Sequence, residues 1–153
     1  MKKEVMTAAL VAFSSAAMSQ EKAILVIPDA LTWRDSPTLP KGAQAAVLMG
    51  DPSKAGEVIV RRLKFPANYQ IPPHTHPYAE NITVISGSVG FGMGEKLEKK
   101  GELTQAGAFH AQPARHPHYI WTGNEEAIIQ VQFTSSGGAS IDYINPTDDP
   151  RKK

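Results

Sequence analysis

Apolar and polar residues alternate along most of the chain after its first twenty positions, with the period of two that marks β-strands lying half against a core. The pattern predicts strands over Ala23–Ile27, Ala45–Met49, Glu57–Phe65, Asn81–Ser86, Ser88–Met93, Ala108–Gln112, His118–Thr122, Ala127–Thr134 and Ser140–Ile144. Turn-forming residues separate most of these runs: Pro40-Lys41-Gly42, Gly50-Asp51-Pro52, Pro66-Ala67-Asn68, Gly123-Asn124 and Gly137-Gly138. Glu95–Lys100 is the one stretch that reads as helical, and it is short. Many short strands with regular turns and no long helix indicate an all-β sandwich or barrel. No repeat at solenoid period and no low-complexity segment is present.

The beginning of the chain follows a different pattern. Met1, Lys2 and Lys3 form a basic start, Val5 to Met18 are apolar or small, and Ala17-Met18-Ser19 offers small residues around a cleavage point. This is the layout of a secretory signal peptide over residues 1–19, too short to anchor the chain across a bilayer. The expected product is a periplasmic or secreted protein whose single domain occupies residues 20–153. The 16 basic and 15 acidic side chains include Lys2, Lys3 and Glu4, so the processed chain is neutral overall. Neutrality without basic runs argues against nucleic acid as a partner, and against a membrane surface once the leader is removed. The chain has no cysteine, which excludes disulfides, thiolate-bound zinc and a thiol nucleophile.

All 5 histidines lie between positions 74 and 118. His74 and His76 share parity, so on a strand they project to one face with Cα atoms roughly 6–7 Å apart, close enough for two imidazoles to meet one ion. Glu80 returns to that face if the chain stays extended through Pro77. Pro72-Pro73 ahead of them favours an extended approach. A second histidine-bearing turn, Pro113 to His118, follows Gly107.

These two clusters resemble the motifs of the cupin superfamily. The first motif is seen in His74-Thr75-His76, Glu80 and Gly87, with Asn68 where the family has its leading glycine. The second is seen in Gly107, Pro113 and His118, with Arg115 at a usual glycine and Thr122 at a usual asparagine. Asn tolerates positive φ, so the first turn can survive, whereas an Arg there costs on the order of 1 kcal/mol. The resemblance implies a single-domain β-barrel of the jelly-roll (double-stranded β-helix) type. It also implies one divalent metal ion, manganese, iron, nickel, zinc or copper, held by His74, His76, Glu80 and His118. It suggests a homodimer, which the sequence itself does not show.

Three imidazoles and one carboxylate leave an octahedral ion with open positions, which suits chemistry better than a structural role. The expectation is a metal-dependent enzyme, dioxygenase-, hydrolase- or lyase-like, acting on a small oxygen-rich compound. The alternative is a non-catalytic cupin that binds or senses a small ligand or a metal. Gln130 could orient a ligand if the polar face of Ile129–Phe133 were the cavity, and an outward polar face is the plainer reading. His110 is a proton-shuttle candidate if it faces inward, and Tyr78 could lie over the entrance. His116 reads as a rim residue, Arg62 and Lys64 as solvated, and Tyr119 and Trp121 as outer packing or an interface.

Overall fold

A computed structural model of the chain describes residues 22–138 and 140–153. The predicted leader, residues 1–19, lies outside the described residues. The strands in order are β1 (Arg34–Asp35), β2 (Gln44–Met49), β3 (Val58–Phe65), β4 (Gln70–Thr75), β5 (Glu80–Ser86) and β6 (Ser88–Met93). They continue with β7 (Thr104–Gln105), β8 (Phe109–Gln112), β9 (His118–Thr122), β10 (Ala127–Thr134) and β11 (Asp142–Tyr143). Short 3-10 turns occupy Pro28–Ala30, Pro146–Asp148 and Pro150–Lys152.

The strands form two antiparallel sheets, one of order β1-β2-β3-β10-β5-β8 and one of order β11-β4-β9-β6-β7. Alternation decides what lies between them. Ile59, Leu63 and Phe65 of β3, Ile82 and Val84 of β5, and Ile129, Val131 and Phe133 of β10 face inward from the first sheet. Ile71, Val89 and Ile120 meet them from the second. This double-sheeted barrel is the all-β fold expected. Among the described residues no helix is long and apolar enough to cross a membrane.

Three expectations fail locally. Ala23–Ile27 runs without a ladder partner among the described residues and leaves Leu25 86 % exposed, since alternation predicts a strand but cannot supply its neighbour. Glu95–Lys100 is irregular, and its backbone instead covers Tyr119, whose hydroxyl donates to the Glu98 carbonyl at 2.9 Å. Ser140–Ile144 shrinks to Asp142–Tyr143. Strand β4 was not predicted because Pro72-Pro73 interrupts it. The register between β4 and β9 shifts between Ile71 and His74, so the prolines sit in an irregularity where their missing N–H groups cost little.

Tyr119 and Trp121 are buried, their rings lying over Gly92 and Gly90 of the neighbouring strand. They therefore serve as packing on the outer face of the second sheet.

Candidate metal centre

The residues converge because two sheets end at one mouth of the barrel. His74 lies near the end of β4, His76 just beyond it, and Glu80 begins β5, so one short loop carries ligands from one sheet to the other. His118 begins β9 and pairs directly with His74 across the ladder. Candidate ligand nitrogens of His74, His76 and His118 all lie within 4.8 Å of one another. Glu80 Oε2 is 3.2 Å from His76 Nε2 and 4.0 Å from His118 Nε2. The four side chains are buried.

Each imidazole is oriented by a backbone carbonyl. His74 Nδ1 bonds the Pro72 oxygen at 2.7 Å, His118 Nδ1 bonds the His116 oxygen at 2.9 Å, and His76 Nδ1 bonds the Ser140 oxygen. A carbonyl can only accept, so Nδ1 carries the proton in all three rings and Nε2 presents its lone pair. His118 Nε2 is buried with no hydrogen-bond partner, an orphan that an ion would satisfy. Burial pushes the His76 and His118 pKa values down to about 4, and it holds His74 well below 6.5. The rings are thus neutral near pH 7, the form that binds metal. Burial also raises the Glu80 pKa, since a carboxylate taken from water needs a cation beside it. The donor set fits a divalent ion.

The turns around the ligands keep the expected shape despite their substitutions. Asn68 and Arg115 adopt φ of 57° and 60°, the left-handed region that glycine favours. Arg115 N–H donates to the His76 carbonyl at 2.8 Å, joining the second histidine turn to the first. The Thr122 hydroxyl is buried, accepts from Tyr69 N–H and donates to the Pro66 carbonyl, both at 2.8 Å.

The remaining candidates fall in different places. Tyr78 is buried rather than lying open at an entrance, stacked on His76 with ring centroids 5.5 Å apart and on Phe133 at 4.1 Å. His110 faces inward opposite Ile82 and stacks on Phe91 at 4.6 Å. Its Nε2 meets Gln112 Oε1 at 3.1 Å, and Gln112 Nε2 donates to the His116 carbonyl at 3.3 Å, the same oxygen that orients His118. His116 itself is exposed at the rim. Gln130 points outward and accepts from Arg62 Nε at 3.2 Å, so the polar face of β10 is the outer one and Gln130 lies away from the ligands. Lys64 Nζ lies 4.6 Å from the centre of the Trp33 ring, also on the outer side.

Two residues of the site escaped the sequence reading. Gln112 is buried beside Glu80, its ladder partner. Arg61 occupies the inward parity of β3 between Ile59 and Leu63, and its positive charge acts on both Glu80 and His76.

A barrel of two antiparallel sheets with three histidines and a glutamate at its mouth is a cupin, as the motifs imply. More narrowly, the model of the ChrR cupin-like domain family matches residues 21–133, and the chain belongs to that family. No match is found among curated protein sequences. Among solved structures the fold is similar to the polyketide cyclase RemF of Streptomyces resistomycificus, with TM-score 0.64 and 19 % identity over 86 % of this chain and 92 % of that one. It is similar to the DMSP lyase DddQ of Ruegeria pomeroyi, with TM-score 0.61 and 18 % identity over 77 % and 63 % of the two chains. It also matches a structure of Rhodobacter sphaeroides SigE with the anti-sigma ChrR, at TM-score 0.52 and 22 % identity over 71 % of this chain and 51 % of that one.

Proposed function

We propose that this chain is an exported, periplasmic or secreted, metal-dependent cupin enzyme acting on a small oxygen-rich compound. One divalent first-row ion, manganese, iron, nickel, zinc or copper, is held by His74, His76, Glu80 and His118. The observation that carries this reading is the shared orientation of three buried imidazoles, each with Nδ1 on a carbonyl, and the unpartnered Nε2 of His118. Such an ion supplies Lewis acidity, polarising an oxygen of the ligand or lowering the pKa of bound water. The protein's own residues orient and exclude. Tyr78 packs against His76, and Gln112 fixes the carbonyl that aims His118. His110 faces inward and is bonded through Nε2 to Gln112, which supports it as the residue that would hold or move a proton.

A second reading is supported by the family match and by the likeness to a structure containing the anti-sigma ChrR. In it the same site binds a metal or small ligand for sensing, without turnover. Elemental analysis of protein purified without chelators, beside His118→Ala, tests the common premise. Near one equivalent of a first-row metal, lost in the variant, supports it, and failure to bind or reconstitute any metal overturns it. Conversion of a compound from a panel of small carboxylates, polyols and β-keto compounds then supports the enzyme. Binding without conversion supports the sensor.

A further inference from the structure

Arg61 is out of keeping with its surroundings. It lies on the inner face of β3, level with Val131 on one side and Val47 on the other, in a row otherwise apolar. Its guanidinium carbon is 5.0 Å from the centre of the Phe133 ring, which stacks on Tyr78, which stacks in turn on His76. Arg61 Nε is buried with no hydrogen-bond partner, and no carboxylate pairs with it among the described residues. Glu80 Oε2 lies instead beside His76 Nε2, at 3.2 Å. Arg61 as a whole is half-buried, and an N–H of a charged group shut away from water is costly unless an acceptor meets it.

Two spaces meet at this side chain. Inward lies a void of about 20 Å³ shared with His74, His76 and Glu80, room for roughly one water-sized group. Outward lies a cleft of about 560 Å³ between β2, the Thr32–Thr38 segment and Ser140, the residue whose carbonyl orients His76. Thr32, Ser36 and Thr38 are among the residues that line that cleft. The charged groups facing it besides Arg61 are Arg34 and Asp35, and the Asp35 carboxylate accepts from Gln44 at 3.3 Å. A larger groove of about 720 Å³ along Lys41, Gln70 and Asn145 holds none of the four ligand residues.

We propose that Arg61 is the anion-binding residue of this site and that its ligand is a small organic carboxylate. The carboxylate is lodged in the outer cleft on the Arg61 fork, with the rest of the molecule directed to the histidine cluster. The planar guanidinium matches a carboxylate through paired N–H donors, whereas the inner void is too small for more than one polar group of the ligand. This deepens the reading of the cluster as a metal centre that meets a small ligand, and rests on it for the second contact.

The test uses ¹⁵N-labelled protein, chelator-treated and cobalt-loaded, titrated with acetate, glycolate and benzoate while the arginine Nε–H signals are followed. Ethylene glycol and sulfate serve as controls. The expected result is a saturable shift of the Arg61 signal with at least one carboxylate, none with ethylene glycol, and a weaker response to sulfate. Arg61→Gln should weaken that binding roughly 10–100-fold, with Arg61→Lys between, and leave cobalt stoichiometry unchanged. An unmoved Arg61 signal with all three acids overturns the proposal, as does equal affinity in Arg61→Gln. A sulfate response as strong as the carboxylate response overturns the ligand class. If neither cobalt nor any other first-row metal binds the unsubstituted protein, the metal reading fails, and the chelated titration still decides for or against Arg61. The wild-type signal decides the matter likewise if the variants do not fold.

Discussion

His74 and His118 face each other as a cross-strand pair, ring centroids 4.2 Å apart, each with Nδ1 bonded to a carbonyl two residues earlier in the chain. Two strands far apart in sequence thus present the same tautomer at the same level of the barrel. The arrangement fixes both rings before any ion arrives, which lowers the entropic cost of binding one.

Removing one member of that pair should abolish tight metal binding. His118→Ala is expected to lower affinity for cobalt or zinc by more than ~100-fold, since direct ligands matter more than their supports. Calorimetric titration of the chelated protein checks this. Unchanged affinity would place the ion elsewhere.

The carbonyl that aims His118 is itself held by Gln112. Gln112→Leu keeps volume and burial but removes that hold, so metal affinity should fall roughly 10-fold with stoichiometry intact. The same substitution removes the partner of His110 Nε2, so the ring's NMR chemical shifts should change. A variant that binds metal as the wild type does would show the Gln112 contact to be incidental.

Much of this was legible because cupin ligands lie at strand ends with fixed parity. Spacing puts His74 and His76 on one face, with Glu80 joining them if the chain stays extended, whereas His118 as a ligand and Asn68 and Arg115 at glycine-like turns enter through the resemblance to the cupin motifs. Arg61 was legible too. The alternation Ile59, Arg61, Leu63, Phe65 puts it inside, on the face opposite Arg62 and Lys64. Strand β4 was hidden by Pro72-Pro73, residues that argue against a ladder except at an irregularity such as this one. The facing of β10 was undecidable from its own pattern, since Gln130 and Ile129 alternate equally well either way. The hydrophobic row shared with β3 and β5 settles it, and that is a tertiary fact.

Arg115 holds a left-handed conformation at φ 60° and is exposed, with its N–H on the His76 carbonyl. Arg115→Gly keeps that hydrogen bond and relieves the conformation, so stability should rise by up to about 1 kcal/mol, less the added freedom of the unfolded chain. Asn68→Gly should change it less, because Asn tolerates this region better. Urea midpoints measure both. A clear loss in Arg115→Gly would mean that the side chain, not the turn, is what matters there.

A Cβ on Gly90 would fall within the Trp121 ring, and one on Gly138 meets nothing within 4 Å. Gly90→Ala should therefore destabilise by roughly 1–3 kcal/mol as Trp121 is displaced from the sheet, while Gly138→Ala stays near neutral. Tryptophan fluorescence should report the displacement through a red shift. Equal urea midpoints for the two variants would contradict the close packing on this face.

The metal-free protein should show a stability profile set by the same side chains. His76 and His118 are depressed to about 4 from 6.5, and His74 is lowered as well. Between those values the unfolded chain binds protons that the folded chain refuses, so stability rises with pH, by up to about 1.4 kcal/mol per pH unit for each ring. Their contribution is complete above 6.5 and is lost as pH falls through 4. Glu80 acts oppositely. Its folded pKa is raised above 4.5, so the folded chain keeps a proton that the unfolded chain releases, and stability falls as pH rises. Three imidazoles outweigh one carboxyl, so chelated protein should gain stability as pH rises from 4 towards 6.5. A divalent ion takes deprotonated ligands, so its stabilisation should grow with pH. Urea denaturation from pH 4 to 9, with chelator and with zinc, gives both curves. Coincident profiles would separate the four side chains from the ion, and a flat chelated curve would remove their buried, neutral state.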